Sequence, residues 1–285
     1  MKLNIALLNE SFPPTIDGVS NTVFNYAKIL KNNHCDCTVI TPQYPNVVDD
    51  YDFDVYRYKS FDLSKKIGYR VGNVLSPKML YDLKSKHFDL LHIHSPFASS
   101  VIASELLKIG YKMPVVITYH TKFDVDIKKR VNSAFIQKAA LRFLKHNLNN
   151  ATEVWSVTST AEANLRSVGY KGRCITMENG TDFKKGVSSE EECAKMRLRY
   201  GIRSDCPILL FVGRMMWYKN TKLIFDAVAK LQNDFQLVMV GDGADRAAME
   251  QYVRQIGIAD KVVFAGAIYD REQVRVMFSL ADLFL

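Results

Sequence analysis

Apolar runs of strand length alternate with amphipathic segments of helix length along almost all of this 285-residue chain. Such alternation is typical of parallel sheets whose strands are connected by helices, and it predicts an α/β fold. In such folds ligands bind at the carboxyl ends of the strands. The predicted strands cover residues 3–9, 37–41, 89–94, 115–120, 153–158, 208–212, 235–240 and 262–265. The predicted helices cover residues 18–32, 97–109, 126–149, 160–168, 219–232, 244–256 and 270–280.

The alternation pauses in a polar stretch and then starts again. Ser189 and Glu192 lie three residues apart there, and this capping-box spacing predicts the start of a helix. We therefore predict two doubly wound domains facing a cleft. The N-terminal domain covers 1–185, a linker and helix cover 186–205, and the C-terminal domain covers 206–285. Because residues 279–285 look like a helix end running into a buried strand, we expect the second domain to be incomplete.

Positive charge is concentrated in the first domain. Residues 1–150 contain 20 Lys and Arg against 13 Asp and Glu, whereas residues 151–285 contain 18 against 17. This imbalance indicates an anionic partner for the first domain. Nucleic acid is not favoured, because no nucleic-acid-binding motif accompanies the charge. An anionic membrane surface fits better. The five cysteines include no CxxC pair and are expected to be reduced thiols of a cytoplasmic protein.

The predicted helix 126–149 contains much of this charge. Lys128, Lys129 and Arg130 begin it, and an apolar stripe runs along it. It is either a core-facing helix with a solvated basic face or a surface that binds anionic lipid head groups. The sequence leaves both interpretations open.

Two loops of the first domain could bind a ligand. Phe-Pro-Pro-Thr-Ile-Asp-Gly, ending at Gly18, joins the first strand to the first helix, where backbone amides favour an anion. His120 lies at the carboxyl end of a predicted strand, although a lone histidine is more often structural. His92 and His94 share one strand face. Because no third ligand is apparent nearby, packing and hydrogen bonding are favoured there over metal binding.

The corresponding loop of the second domain contains two cations. Arg214 and Lys219 lie five residues apart in Gly-Arg-Met-Met-Trp-Tyr-Lys, before a predicted helix. Both can approach one anion, such as a departing diphosphate, although a solvated surface pair is the alternative. Residues 241–246, Gly-Asp-Gly-Ala-Asp-Arg, superficially resemble a dinucleotide-binding motif. Arg246 replaces its last glycine and no acidic residue follows at the required distance, so this function is not predicted.

In order and spacing, these motifs resemble family 4 of the retaining glycosyltransferases, which have the GT-B fold of two Rossmann-like domains. The resemblance implies that His120 contacts the transferred sugar and that Gly18 lies on the donor or acceptor side of the cleft. It implies that Arg214 and Lys219 neutralise the nucleotide diphosphate, so that neither a metal nor another cofactor is needed. The backbone around Gly266 and Ile268 would meet the nucleobase. A pair of glutamates typical of the family would begin after residue 285, which predicts a truncated chain. The motifs are the following: 12–19, His-Ile-His-Ser-Pro at 92–96, Thr-Tyr-His-Thr at 118–121, Asn-Gly-Thr-Asp at 179–182, 212–219 and Val-Gly-Asp-Gly at 240–243.

The function implied is transfer of a hexose from a nucleotide sugar, such as UDP-glucose, to a hydroxyl acceptor. Residues 118–123 and the basic first domain resemble the bacterial diacylglycerol glucosyltransferases. This predicts a lipid acceptor, a location at the inner face of the cell membrane, and contact with lipid through Lys128, Lys129 and Arg130. Two alternatives stay open: a non-catalytic truncated remnant that binds a nucleotide sugar or a partner, and a soluble glycan or polysaccharide transferase of the same family.

Overall fold

The structure, a computed structural model, describes residues 2–15, 17–62, 70–110 and 112–285, with only the backbone at Val71, Lys129 and Arg130. It divides into two compact units, Met1–Gly180 and Thr181–Leu285. The division falls five residues before the predicted end of the first domain at residue 185. Each unit contains its own parallel sheet.

The first unit has a seven-stranded parallel sheet within the described residues, so the predicted α/β class is confirmed. Its strands are β1 Asn4–Leu8, β2 Asp36–Pro42, β3 Asp54–Tyr58, β6 Leu90–Ile93, β7 Val115–Tyr119, β8 Glu153–Ser156 and β9 Cys174–Thr176. Their spatial order is β3-β2-β1-β6-β7-β8-β9, which places the switch in winding direction between β1 and β6. The sequence did not predict β3 or β9, because one is a polar edge strand and the other has only three residues.

Helices connect these strands. The helices are α1 Gly18–Asn32, α2 Pro77–Lys84, α3 Ala98–Lys108, α4 Phe123–Arg130, α5 Ala134–Asn149 and α6 Ser159–Ser167, and a small antiparallel pair is formed by β4 Ser60–Asp62 and β5 Arg70–Gly72. The predicted single helix 126–149 is wrong. The chain is extended at Val131, and the Ser133 side chain caps α5 by accepting a hydrogen bond from the Ile136 amide. A serine cap satisfies the free amides at a helix start, so a new helix begins there.

The first sheet is buried on both faces. Successive residues of β1 point to opposite sides, as strand geometry requires. Ile5 and Leu7 join the cluster that α1 covers, while Ala6 and Leu8 join the larger cluster beneath α2, α3, α5 and α6. Burial on both faces explains why these strands appear in the sequence as continuous apolar runs.

The second unit has a four-stranded parallel sheet of order β12-β11-β10-β13 within the described residues. Its strands are β10 Ile208–Val212, β11 Gln236–Val240, β12 Val262–Gly266 and β13 Leu283–Phe284, and its helices are α7 Glu190–Tyr200, α8 Thr221–Val228, α9 Arg246–Gln255 and α10 Arg271–Leu280. The capping box is confirmed, since Ser189 and Glu192 each accept a hydrogen bond from the other's amide. Helix α7 then packs on α10 and adds Cys193 and Met196 to the core of this unit.

The predicted helix 219–232 is shorter at both ends than expected. Trp217–Lys219 form a 3-10 turn, and Asn220 adopts a left-handed conformation with φ of 58° before α8 begins at Thr221. Lys219 therefore lies in the loop before α8 and not in the helix. Among the described residues, no helix is both long and apolar enough to cross a lipid bilayer.

Candidate functional site

Polar side chains gather at the carboxyl edge of the first sheet, next to its switch in winding direction. Glu10 follows β1, His94 follows β6 and His120 follows β7, and these three strands are neighbours. This edge is where ligands bind in doubly wound folds. The tertiary structure therefore brings His120, which we predicted as a site residue, into contact with His94, and it places Glu10 at the same edge of the sheet.

Three histidine rings form a row along this edge. The ring centroids of His92 and His94 are 4.2 Å apart, and those of His94 and His120 are 5.2 Å apart. His94 Nδ1 lies 2.9 Å from His120 Nε2, which is hydrogen-bond distance. The ring of Tyr26, from α1, meets His92 and His94 edge-on. His120, at the open end of this row, is half-buried, whereas His92 and His94 are buried.

Burial keeps these histidines neutral. It lowers the pKa of His92 to about 3 and that of His120 to about 4, and it holds the pKa of His94 well below its usual range. The physical cause is the loss of hydration that an imidazolium would suffer there, and at His120 the negative charge of Asp17 opposes this shift without cancelling it. At pH 7 each ring therefore has one N–H donor and one acceptor nitrogen.

The hydrogen-bonding interpretation of His92 is confirmed. His92 Nε2 lies 2.7 Å from Thr118 Oγ1 on the neighbouring strand β7. In the described part of the chain, no group of three His, Cys, Asp or Glu residues is arranged to hold a metal ion.

Gly18 is the first residue of α1, at the same edge of the sheet. No heavy atom lies within 4 Å of the position that a Cβ would occupy there, so the space beside it is open. Asp17 caps the helix by accepting a hydrogen bond from the Ser20 amide at 2.8 Å, and Ser11 Oγ donates to the same carboxylate at 2.6 Å. Negative charge is thus already present at this helix terminus. Ile16 lies outside the described residues.

Glu10 was missed by the sequence analysis. Its Oε1 accepts hydrogen bonds from the Ser99 amide at 2.6 Å and from Ser99 Oγ at 2.9 Å. The N-cap residue of α3, Phe97, makes no side-chain capping bond, so Glu10 caps this helix from a different element. Burial raises the pKa of Glu10, and hydrogen bonds from Ser95 and Ser99 oppose that shift. The sequence did offer a signal for this residue: an acidic side chain two residues after β1, the strand beside the switch in winding direction.

The predicted cation pair of the second unit converges on one tyrosine. An Arg214 guanidinium nitrogen donates to the Tyr218 hydroxyl at 2.9 Å. Lys219 Nζ lies 5.7 Å from the centre of the Tyr218 ring, a cation–π distance. Both cations are exposed, and neither forms an ion pair with any carboxylate of the described residues. Two uncompensated positive charges therefore flank Tyr218 at the carboxyl edge of the second sheet. Tyr218 was not predicted from the sequence.

The glycine-rich turn after β11 packs against the same loop. Gly241 has φ of 133°, and a Cβ there would overlap the Gly213 carbonyl oxygen. A Cβ on Gly243 would overlap the Met215 carbonyl oxygen, and the Met215 amide donates to the Asp242 carbonyl at 2.9 Å. These glycines permit close approach of two backbone segments, which accounts for them without a dinucleotide.

Gly266 and Ile268 follow β12 at this edge. The Gly266 carbonyl accepts a hydrogen bond from the Gly241 amide at 2.8 Å, and the Ile268 side chain packs partly buried against the core around α10. Of the basic residues predicted to face a membrane, Lys128 pairs with Asp124 at 3.6 Å. The side chains of Lys129 and Arg130 lie outside the described residues.

Together these two α/β units have the GT-B-like fold of glycosyltransferases. Residues 16–185 match the family described as Glycosyltransferase Family 4, and residues 194–285 match Glycosyl transferases group 1. The chain therefore belongs to glycosyltransferase family 4. Sucrose-phosphate synthase from Thermosynechococcus elongatus has a similar structure, with a TM-score of 0.77 and 24% identity, over 99% of this chain and 75% of that one. The structure of Anabaena Alr3699/HepE in complex with UDP-glucose is also similar, with a TM-score of 0.75 and 17% identity, over 99% of this chain and 73% of that one.

Curated relatives differ in donor and acceptor. A GDP-mannose-dependent alpha-mannosyltransferase of Corynebacterium glutamicum is 25% identical over 99% of this chain and 66% of its own length. An alpha-monoglucosyldiacylglycerol synthase of Streptococcus pneumoniae is 22% identical over 99% of this chain and 65% of its own length. This chain therefore spans about two thirds of the length of these relatives.

Proposed function

We propose that this protein takes part in transfer of a hexose from a nucleotide sugar to a hydroxyl acceptor, with retention of configuration. The observation that carries the proposal is the pair of exposed cations, Arg214 and Lys219, which contact Tyr218 just before α8 and pair with no carboxylate among the described residues. Departure of a nucleoside diphosphate develops negative charge on the leaving oxygen, and fixed cations stabilise that charge. They take the place that a metal ion has in other transferases.

The relatives support a nucleotide sugar as the donor class. One is named for its dependence on GDP-mannose, and a protein of similar fold was solved with UDP-glucose. His120 suits the sugar end of such a donor, because a neutral imidazole can hydrogen-bond a hydroxyl group without introducing charge. Gly18 leaves open space at the same edge.

Binding of UDP-glucose and of GDP-mannose, followed by titration calorimetry, tests this proposal. We expect Arg214→Gln and Lys219→Gln each to weaken binding of the preferred donor by about tenfold or more, because each loses a charged contact with phosphate. Lys222→Gln is the matched control, since Lys222 is an exposed lysine of α8 already paired with Asp226 at 3.0 Å. Unchanged affinity in both loop variants would contradict the diphosphate role.

A membrane lipid is the acceptor that a specific observation favours. Helix α5 exposes Phe135, Ile136 and Phe143, and the exposed cations Lys138 and Arg142 lie on the same helix. Neither cation pairs with a carboxylate in the described ranges. Exposed apolar side chains interleaved with free cations are typical of helices that lie on anionic bilayers. Leu144 of the same helix does not belong to this surface, because its side chain is fully buried and faces the core.

Sedimentation with vesicles tests the lipid surface. We expect binding to phosphatidylglycerol-containing vesicles that weakens as salt rises, and a loss of most binding in the double variant Lys138→Gln/Arg142→Gln. Lys78→Gln/Lys108→Gln removes the same charge from side chains that already pair with carboxylates, and it serves as the control. Equal binding to neutral and anionic vesicles would rule out a surface for anionic lipid, and absence of binding to both would favour a soluble glycan acceptor.

A further inference from the structure

The contact between His94 and His120 restricts where the protons of both rings can be. His94 is 1% exposed, and its Nδ1 faces His120 Nε2 at 2.9 Å. Its other nitrogen, Nε2, is buried and has no hydrogen-bond partner among the described residues. The other nitrogen of His120, Nδ1, forms no hydrogen bond with a described side chain. Unlike His94 Nε2, it is not a buried atom without a partner, so it is open to solvent or a ligand.

Two arrangements of protons satisfy the 2.9 Å contact. In one, His94 Nδ1–H donates to His120 Nε2, and the buried His94 Nε2 is a bare acceptor. In the other, His120 Nε2–H donates to His94 Nδ1, and a buried His94 Nε2–H is left without an acceptor. An orphaned buried N–H is rarer in proteins than an under-satisfied acceptor, which favours the first arrangement. A neutral His120 whose Nε2 accepts must then have its proton on Nδ1.

We propose that His94 is a positioning residue that holds His120 in the Nδ1–H tautomer, so that His120 presents an N–H donor to an oxygen of the bound sugar. The inference rests on the proposed function for the identity of the ligand but not for the tautomer. The ring of His94 is itself held by the edge-on ring of Tyr26. His92 has a separate partner in Thr118, so it does not compete for His120.

A donor at this place has a consequence for recognition. A hydroxyl oxygen can accept a hydrogen bond from His120 while its own proton remains free to bond elsewhere. A fluorine substituent can accept weakly but cannot donate, and a hydrogen substituent can do neither. A site with a fixed N–H donor should therefore tolerate fluorine better than hydrogen at the contacted position of the sugar.

The tautomer can be read directly by long-range ¹H–¹⁵N correlation spectra of the histidine-labelled chain at pH 7, because protonated and bare ring nitrogens resonate far apart. The His120 signals are assigned by their absence in His120→Asn. We expect Nδ1–H in the wild-type protein. His94→Phe keeps a ring between Tyr26 and His92 but has no donor, and it should shift His120 toward the Nε2–H form. His94→Asn places an amide near the position of Nδ1 and should retain Nδ1–H.

His92→Gln is the matched control, because it removes the neighbouring histidine of the row and can still reach Thr118. It should leave the His120 tautomer unchanged. A wild-type His120 protonated on Nε2, or a His120 pattern that is the same in His94→Phe as in the wild type, would overturn the proposal. These spectra need no ligand, so they stand even if the chain binds no nucleotide sugar.

The functional role is tested by calorimetric titration with UDP-glucose and GDP-mannose. We expect His94→Phe to bind the preferred donor about tenfold more weakly than the wild type, a loss comparable to the free energy of one oriented hydrogen bond. We expect His94→Asn to bind it with an affinity within about threefold of the wild type. Wild-type affinity in His94→Phe would overturn the positioning role. Absence of binding by the wild-type protein would instead contradict the proposed function while leaving the tautomer result intact.

Discussion

At the scale of single residues, the carboxyl edges of the two sheets differ in charge: neutral histidines lie at the first, and exposed cations lie at the second. In the first unit burial keeps three histidines neutral well below their usual pKa, and in the second unit two cations have no counter-charge in the described part of the chain. Both conditions are costly to arrange: burial removes the hydration that would stabilise a charged imidazole, and adjacent positive charges repel each other. Such costs are typical of sites that bind or transform a ligand.

Tyr218 is predicted to organise both cations of its loop. Tyr218→Phe keeps the ring beneath Lys219 but removes the hydroxyl that accepts from Arg214, so we expect about threefold weaker binding of the preferred nucleotide sugar. Tyr218→Leu removes both contacts and should weaken binding by about tenfold or more. Titration calorimetry on both variants checks this order of affinities, with the wild type binding most tightly and Tyr218→Leu most weakly. Equal affinity in wild type and Tyr218→Leu would show that the cations need no support from this side chain.

The buried histidines should make the protein acid-sensitive. Because their folded-state pKa values lie below the unfolded value of about 6.5, the unfolded chain binds more protons as pH falls. The stability that these neutral histidines contribute is therefore fully present above pH 6.5 and is lost progressively toward pH 3. We expect His92→Gln to reduce the pH slope of the free energy of unfolding by about one proton, or about 1.4 kcal/mol per pH unit. Urea titrations at several pH values measure this slope.

The comparison variant for that slope is His34→Gln. His34 is exposed at the end of α1, away from the histidine row. If both variants change the slope equally, burial of His92 is not the cause of the acid sensitivity.

At the scale of elements, helix starts decide which groups lie at the sheet edges. Helix α3 has no cap of its own and depends on Glu10 from the end of β1, so the strand and the helix on either side of the switch are tied together. Helix α5 begins at a serine cap three residues after α4 ends, and the predicted continuous helix does not form. In both cases a single side chain satisfies amides that a helix leaves unpaired.

Glu10 is predicted to stabilise α3 measurably. Glu10→Ala leaves the Ser99 amide without its acceptor, and we expect a loss of about 1–2 kcal/mol in the free energy of unfolding. The exposed Glu191, paired with Lys195 on α7, offers a control in Glu191→Ala, which should change stability by less than about 0.5 kcal/mol. Urea denaturation compares the two. A loss no larger for Glu10→Ala than for the control would exclude a capping role.

At the scale of the whole molecule, the chain is two units with separate cores. The first unit buries its sheet between two apolar clusters, and so does the second. Each unit thus has the layered architecture of a domain that buries its own apolar surface.

The separate cores predict separate local stabilities. Leu237 is fully buried in β11, and Leu237→Ala should cost about 2–5 kcal/mol in the second unit. We expect faster amide hydrogen exchange in β10, β11 and β12 of this variant, with β1, β6 and β7 unchanged. Leu7→Ala in the first sheet should give the opposite pattern. Acceleration of exchange throughout both sheets by either substitution would mean that the units unfold as one.

The sequence by itself determined the features that depend on near neighbours. The period of apolar residues indicated the α/β class, the spacing of Ser189 and Glu192 placed the start of α7, and the loop before α8 showed Arg214 and Lys219 together. Each pattern involves residues within one or two turns of each other, so the physical cause is contained in the local chain. The same local reasoning failed at residues 131–133, where a cap outcompeted helix continuation.

Only the tertiary structure decided which distant groups meet. His94 faces His120, Glu10 caps α3, and Gly241 packs on Gly213 because particular strands are neighbours in their sheets. The order of the strands depends on burying all the apolar faces of a unit at once. It is therefore a property of the whole unit and cannot be inferred from any single residue and its near neighbours. The chemistry of the two edges therefore became visible only when the strands were placed side by side.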